Sequence, residues 1–217
     1  MVESTIPQPV AEILTALLSE LLGIRERLTI YRELYTGSPE QKAALRRTAH
    51  TFFTIIHDVL LDDIFLAISR LIDPQHTQGK DNLSLEQLQW QISQGGESTL
   101  AATIDGDIIN IKQECKPFQQ WRHKYLAHRD LATATSAIRG ILPLPSIEIN
   151  QIETALRQIH SVLNRVETHF GKLPTDYEII PFNIDSDALI DILVRFWRQH
   201  DDETQEFLKK HSISGIK

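Results

Sequence analysis

Apolar residues recur every three or four positions along most of the chain, which is the spacing of helices that pack against a core. In the first predicted helix the steps alternate between four and three over about seven turns, as in helical bundles. This apolar row consists of Val10, Leu14, Leu17, Leu21, Ile24, Leu28, Tyr31 and Tyr35. Gly37 ends the helix, and Ser38, Pro39 and Gln41 then predict a capped start for a second helix.

The second helix is predicted to end at Asp73, because the residue before Pro74 avoids the α region. Its apolar row consists of Leu45, Ala49, Phe52, Ile56, Leu60, Ile64, Ala67 and Leu71. Residues 75–82 are polar and predict a loop. Ser84, with Gln87 three residues later, predicts the cap of a short helix.

Another long helix starts near Ser98, and Pro117 inside its apolar row predicts a kink or a restart. Residues 131–146 are punctuated by glycine and proline and predict a loop. Asn150 predicts the cap of the next long helix, and a final helix is expected at about residues 186–210. The apolar positions of this final helix are Leu189, Leu193, Phe196 and Trp197.

These patterns predict an all-α protein, because no segment shows the alternation that is typical of a strand. The short connections favour antiparallel neighbours, so we expect an up-down bundle of four long helices with short additional helices. We expect residues 1–217 to form a single helical domain, in which residues 172–217 are a candidate C-terminal helical appendage.

The composition limits the class of protein. The 217 residues carry a formal net charge of −7, which weighs against a dedicated nucleic-acid binder without excluding a local basic site. The densest basic run lies at residues 121–129. The N-terminus does not resemble a signal peptide, no apolar run is long enough to span a membrane, and the single cysteine Cys115 fits a reducing compartment. We therefore expect a cytoplasmic protein.

The histidines do not predict a metal site. His50 and His57 are seven residues apart on the second helix, whereas a helical metal-binding pair prefers a spacing of three or four. A partly solvated polar strip explains them more simply. His123 and His128 also miss ligand spacing, and the sequence contains no CxxC, HExxH, GxGxxG or phosphate-loop motif, so we expect neither metal nor cofactor. Cys115 lies in an apolar row and is expected to be a packed thiol.

If the apolar row around Pro117 continues, its next positions are Arg122, Tyr125 and Arg129. An arginine in such a row is costly unless its charge is compensated. Three arrangements would resolve this: a bound anion, a carboxylate from the second helix, or a register shift that turns Trp121, Tyr125 and Leu126 inward and leaves Arg122 in solvent. The residue pattern leaves all three open, together with a purely structural ion pair.

The segment WRHKYLAHRD, at residues 121–130, resembles the R-x(4–6)-H motif of HEPN domains, with Arg122 and His128 at its two ends. His123 fills the polar position that follows the arginine in such motifs. The bare pattern occurs twice more, without the surrounding residues, at Arg70/His76 and Arg195/His200.

Two further strings are similar to the abortive-infection (AbiU-type) branch of HEPN proteins. SRLIDP at residues 69–74 and NLSLEQL at residues 82–88 fall where that branch has a helix end, a loop and a short helix. The resemblance covers roughly residues 40–170. It implies a helical bundle that dimerises with its two motifs meeting at a cleft, and often a ribonuclease that needs no metal.

The resemblance also implies roles for the residues of the motif. Arg122 would bind phosphate, since arginine offers a planar fork of donors to phosphate oxygens. His128 would act as general acid or base, because histidine titrates near neutrality, and His123 would orient or support it. Lys124 and Arg129 would steer RNA.

The spacing within the motif favours a site made by two copies. Six residues turn an α-helix by about 600°, which leaves Arg122 and His128 about 120° apart and roughly 9 Å apart along the axis. Together with this spacing, the resemblance implies a homodimeric ribonuclease of a bacterial defence or toxin system, with RNA as substrate and an antitoxin or other protein as a further partner. The alternatives are a non-catalytic HEPN module that binds a nucleotide or a protein, and a helical scaffold without a site. Asp130 departs from some HEPN toxins, which carry a tyrosine there for modification by a partner enzyme, so that type of control is in doubt.

Overall fold

The computed structural model describes residues 6–126, 145–176 and 185–211, and 80% of them are helical. The all-α fold predicted from the sequence is confirmed. The helices are α1 (Gln8–Tyr35), α2 (Pro39–Leu71), α3 (Leu85–Gln94), α4 (Ser98–Glu114), α5 (Lys116–Trp121), a π-helical turn (Arg122–Leu126), α6 (Ile149–His169) and α7 (Ser186–His211). Among the described helices, none contains a stretch whose length and apolar character would let it span a bilayer.

The start of α2 is fixed by the predicted capping box. The backbone N–H of Ser38 donates to Oε1 of Gln41 at 2.6 Å, and the backbone N–H of Gln41 donates to Oγ of Ser38 at 3.2 Å. At α3, Ser84 accepts from the backbone N–H of Gln87 at 3.3 Å, so the predicted cap is also confirmed there. These bonds satisfy donors that the first turn of a helix leaves without an intrahelical partner.

The predicted cap of α6 at Asn150 is wrong. The helix already begins at Ile149, with Glu148 as its N-cap residue. The backbone N–H of Glu148 donates to Oε1 of Gln151 at 2.8 Å, so a glutamine three residues after the cap completes the box. The predicted loop at residues 131–146 lies largely outside the described residues.

The predicted loop at residues 75–82 contains a small hairpin. Strand β1 (His76–Thr77) pairs antiparallel with β2 (Lys80–Asp81). Between them Gln78 and Gly79 both have positive φ, at 51° and 76°, as a two-residue hairpin turn that follows strand twist requires. Strands of two residues are too short to show alternation, so the sequence pattern could not predict this hairpin, and the fold is still all-α.

The described residues fall into two compact units. The first unit draws on residues 1–25 and 62–180, and the second on residues 26–61 and 181–217. Both α1 and α2 therefore contribute to each unit. The assignment of the chain to one domain with an appendage at residues 172–217 stays a prediction.

The apolar row predicted for α1 is buried from Val10 to Tyr31, and Tyr35 is half-buried. The first unit buries part of this row together with apolar side chains of the other helices. Its fully buried large residues include Leu14, Leu17, Leu21, Ile64, Ile68, Leu85, Leu88, Ile104, Phe118, Leu156 and Ile159. The helices of this unit are thus held by one apolar core, as the periodicity predicted.

The apolar row predicted for α2 is wrong at Phe52. Ala49 leaves the helical region, with φ −159° and ψ 72°, and interrupts α2. The side chains after Ala49 therefore point in directions other than those an unbroken helix would give them. Phe53 is buried, while Phe52 is more than half exposed. Ile55 and Val59 are also more than half exposed, and with Phe52 they form an apolar face of the second unit.

The register predicted for α7 is also partly wrong. Ile190 and Val194 are the buried residues of this helix, and both belong to the core of the second unit. Leu193 and Trp197 pack against that core as predicted, whereas Phe196, a predicted core position, is more than half exposed. Each of the two buried residues of α7 therefore lies one position after a residue of the predicted row, Ile190 after Leu189 and Val194 after Leu193.

Candidate functional site

The motif arginine lies shortly after a break between two helices of the first unit. α4 ends at Glu114, Cys115 has φ −84° and ψ 4°, and α5 begins with Pro117 in its first turn. The N–H that proline lacks has no intrahelical partner in a first turn, so proline costs little there. The restart predicted at Pro117 is confirmed.

The chain passes from α5 directly into the π-helical turn that begins at Arg122. Such turns are rare and occur often at functional sites. Here the ring of Trp121 contacts the rings of Phe65 and Tyr125, with centroid distances of 5.6 Å and 5.4 Å. The indole Nε1 of Trp121 donates to the carbonyl oxygen of Pro145 at 2.8 Å. The two aromatic residues are therefore packed inward, as the register-shift alternative expected.

Arg122 is paired with a carboxylate rather than left in solvent. Its Nη1 donates to Oδ1 of Asp73, and the two side chains are 25% and 17% exposed. Asp73 lies two residues past the end of α2, and its backbone N–H donates to the carbonyl oxygen of Arg70 at 3.1 Å. The structure thus combines two of the open alternatives, inward-facing aromatics and a carboxylate from the end of the second helix. Within the part of the chain that the structure describes, Asp73 contacts one amino group of a guanidinium that has five N–H donors.

The neighbours of Arg122 on the π-helical turn are polar and accessible. His123 and Lys124 are both exposed. An exposed imidazole and an exposed ammonium group thus directly follow Arg122 in the chain, within the densest basic run of an acidic protein. His128 and Arg129 lie outside the described residues, so their predicted roles stay predictions.

Asp73 also lines a cavity of about 190 Å³ in the first unit. The polar side chains around this cavity include Glu20, Arg70 and Asn82. Arg70 therefore lines the same cavity as the carboxylate that holds Arg122. The sequence marked Arg70 only as one end of a bare R-x5-H match.

The other candidates from the sequence have structural partners. Nε2 of His57 lies 3.1 Å from Oη of Tyr31, and its Nδ1 lies 2.9 Å from Oδ1 of Asp58. These contacts fit the partly solvated polar strip that the sequence predicted in place of a metal site. Across the described ranges, no group of three or more His, Cys, Asp or Glu side chains is placed to hold a metal ion. Cys115 is fully buried, and burial together with the charge of Glu114 raises the pKa of its thiol to about 12. Cys115 is therefore a packed thiol, as predicted.

Asp73 is the residue of this site that the sequence patterns did not identify. They gave the kind of partner, a carboxylate from the second helix, but not the residue. A signal was present, because Asp73 stands directly before Pro74, where a helix must end and a side chain can leave the helical face. It also lies within the SRLIDP string on which the resemblance rested.

An all-α chain with Arg122 of an R-x5-H motif on an irregular helical turn, held by an acidic residue at a helix end, fits the class of HEPN domains. The profile of the AbiU2 family of HEPN domains matches residues 7–190, and the chain belongs to this family. The match extends beyond residues 40–170 and includes α1, which the sequence patterns did not mark as diagnostic. No curated protein and no solved structure matches the chain.

Proposed function

We propose that this protein is a metal-independent endoribonuclease that acts as a homodimer in a bacterial defence or toxin system. Membership of the AbiU2 family supports the broader part, a defence-associated module. The observation that most directly supports nuclease activity is the setting of Arg122. This side chain is a quarter exposed and is held by Asp73, and the exposed His123 and Lys124 follow it directly in the chain.

The proposed reaction uses the 2′-hydroxyl of RNA as nucleophile. One His128 takes the proton of the 2′-hydroxyl as its oxygen bonds to phosphorus, and the bond to the 5′-oxygen breaks as a second His128 protonates that oxygen. Arg122 compensates the charge that builds up on the phosphate oxygens. The products are a 2′,3′-cyclic phosphate and a 5′-hydroxyl. Two histidines in different protonation states are needed, which two copies of the motif supply.

Asp73 gives Arg122 a defined orientation in this proposal. A long arginine side chain loses rotamer freedom when it binds phosphate, and a bond that already fixes part of it reduces that cost. The negative charge of Asp73 also weakens the positive potential that Arg122 presents to the phosphate. Asp73 is thus a positioning residue in this proposal, whereas Arg122 is catalytic.

The homodimer is supported by the motif spacing and by an exposed apolar face. Phe52, Ile55 and Val59 are each more than half exposed on α2, and apolar faces of this kind commonly mark protein contacts. Ile55→Glu should weaken association if this face contacts a second copy. Ile109→Glu, at another half-exposed isoleucine, is the matched control. Light scattering that finds a strict monomer at about tens of micromolar would contradict the homodimer.

A non-catalytic HEPN module that binds a nucleotide or a protein is the second candidate. The observation in its favour is the same contact, because Asp73 already compensates the charge of Arg122. In that case the pair stabilises the fold and no phosphate needs to approach it.

RNA cleavage by the purified protein in EDTA tests the nuclease proposal. Wild-type protein should cut end-labelled single-stranded RNA, leave an all-deoxy strand of the same sequence intact, and produce cyclic phosphate ends. Arg122→Ala and His128→Ala should remove cleavage. Arg195→Ala and His200→Ala are matched controls, because these exposed residues form a bare R-x4-H pattern outside the motif. Wild-type protein that cuts no RNA, or full activity in His128→Ala, would contradict the proposal.

A further inference from the structure

The second unit contains a cavity that no residue of the R-x5-H motif lines. Its volume is about 520 Å³, within the range of pockets that hold small organic ligands. Tyr35, at the end of α1, forms one side, and residues of α2 form the rest. Leu45 and Phe53 are buried and form an apolar floor.

One end of the cavity carries two cations. Lys42 and Arg46 are one turn apart on α2, and both are exposed. Neighbouring arginines of this unit are paired: Arg47 bonds Asp201 at 2.7 Å, and Arg198 bonds Glu40. In the described part of the chain, neither Lys42 nor Arg46 has such a carboxylate partner. Their charges are therefore available to an anion.

The other end of the cavity is aromatic and held by hydrogen bonds. The rings of Tyr35 and His57 meet edge to face with centroids 5.0 Å apart. Oη of Tyr35 donates to the carbonyl oxygen of Phe53 at 2.8 Å, and burial raises the pKa of Tyr35 to about 12, so it stays a neutral phenol. His57 is held by Tyr31 and Asp58. These rings keep a fixed geometry in which a flat group can pack.

His50 stands between the two ends. It directly follows Ala49, where α2 is interrupted, and it is exposed one turn beyond Arg46. An exposed imidazole can stack on a flat ring or donate to an anion. The cavity thus runs from two cations, past an imidazole, to a pair of fixed rings over an apolar floor.

We propose that this cavity binds a phosphate monoester with a flat aromatic body. The phosphate dianion would lie between Lys42 and Arg46, where a guanidinium can bind two of its oxygens. The aromatic body would pack against Tyr35, His50 and His57, as bases do on aromatic and imidazole rings. Inorganic phosphate would engage only the cationic end, and an unphosphorylated ring only the aromatic end. The site shares no residue with the motif, so the inference does not rest on nuclease activity.

Calorimetric titration of the full chain at about 0.15 M salt tests this inference. The probes are phenyl phosphate, uridine monophosphate and adenosine monophosphate, compared with inorganic phosphate and uridine. A monoester should bind about tenfold more tightly than inorganic phosphate or uridine. Lys42→Gln/Arg46→Gln should weaken monoester binding by about tenfold or more with little change in the melting curve, because both side chains are exposed.

Two further variants separate the cavity from general charge. Lys80→Gln/Lys172→Gln removes two exposed cations elsewhere and should bind the monoester like wild type. Thr54→Trp places an indole in the cavity without changing its charge and should abolish binding. Arg122→Ala should bind normally even if RNA cleavage is lost, which keeps the two proposals distinguishable.

Several results would overturn the inference. One is the absence of binding of any monoester at about 1 mM. Another is equal loss of affinity in the two double variants, which would show that net charge alone attracts the anion. Binding of inorganic phosphate as tight as that of the monoesters, or unchanged binding in a folded Thr54→Trp protein, would also exclude the proposed cavity.

Discussion

Replacing Arg122 with alanine leaves the carboxylate of Asp73 without its cation. The side chains are 25% and 17% exposed. The pair therefore lies between a solvated surface pair, worth about 0.2–1 kcal/mol, and a buried pair, whose disruption costs about 3–5 kcal/mol. We expect Arg122→Ala to lower the free energy of unfolding by about 2 kcal/mol. At about 2–4 °C per kcal/mol for a chain of this size, the melting temperature should fall by about 4–8 °C.

A double-mutant cycle tests whether this loss comes from the pair. Arg122→Ala, Asp73→Ala and the double variant are compared in thermal and urea unfolding followed by circular dichroism. Removing both partners leaves no unpaired charge, so the double variant should be more stable than the sum of the single losses predicts, by about 1–2 kcal/mol. A melting temperature of Arg122→Ala within about 1 °C of wild type, together with no coupling in the cycle, would refute this reasoning.

The same pair separates positioning from structure when cleavage is measured. Asp73→Asn keeps the shape of the side chain but removes the charge that holds Arg122. If Asp73 positions the guanidinium, kcat should fall by about tenfold or more. KM for RNA should not rise, because the surroundings of Arg122 become more positive. A large fall in melting temperature for Arg122→Ala, with wild-type protein unable to cut any single-stranded RNA, would instead leave Arg122 as a structural ion pair.

Three further results are expected. His128→Ala should abolish cleavage while changing stability by under about 0.5 kcal/mol, as measured by the same melts, because the polar Arg129 and Asp130 that follow it predict an exposed position; unchanged cleavage would exclude His128 as acid or base. Cleavage should survive EDTA in a gel assay, whereas activity that is lost and then restored by magnesium or manganese would direct attention to His57, Asp58 and Asp62. Cys115 should resist a thiol reagent at about pH 8 in the native protein and react in urea, because its thiol is buried with a raised pKa; fast native labelling would contradict this.

The sequence predicted the helices better than the faces they present. The apolar row of α1 is buried as predicted because this helix keeps one register over its whole length. In α2 the prediction holds at Leu45 and fails at Phe52, because Ala49 leaves the helical conformation between them. Alanine is the best helix former, so nothing in the local sequence marks the interruption. A single residue outside the helical region rotates the following turn, and periodicity alone cannot detect that.

The sequence predicted one feature of the candidate site, namely that the charge of Arg122 needs a compensating group. An arginine in an apolar row must be compensated, which predicted a carboxylate, a bound anion or a change of register at Arg122, and the carboxylate is observed as Asp73. The identity of the carboxylate was not predictable, because Asp73 lies 49 residues away in the chain and its approach depends on packing between helices. The π-helical turn explains why two of the alternatives hold together, since it lets Trp121 and Tyr125 pack inward while the guanidinium still reaches the end of α2. An arginine whose N–H donors were all bonded within the protein would have a purely structural role. A buried arginine without any partner would lower the stability of the fold. Arg122 is bonded to Asp73 and a quarter exposed, which fits the proposal that it both stabilises the fold and receives a phosphate.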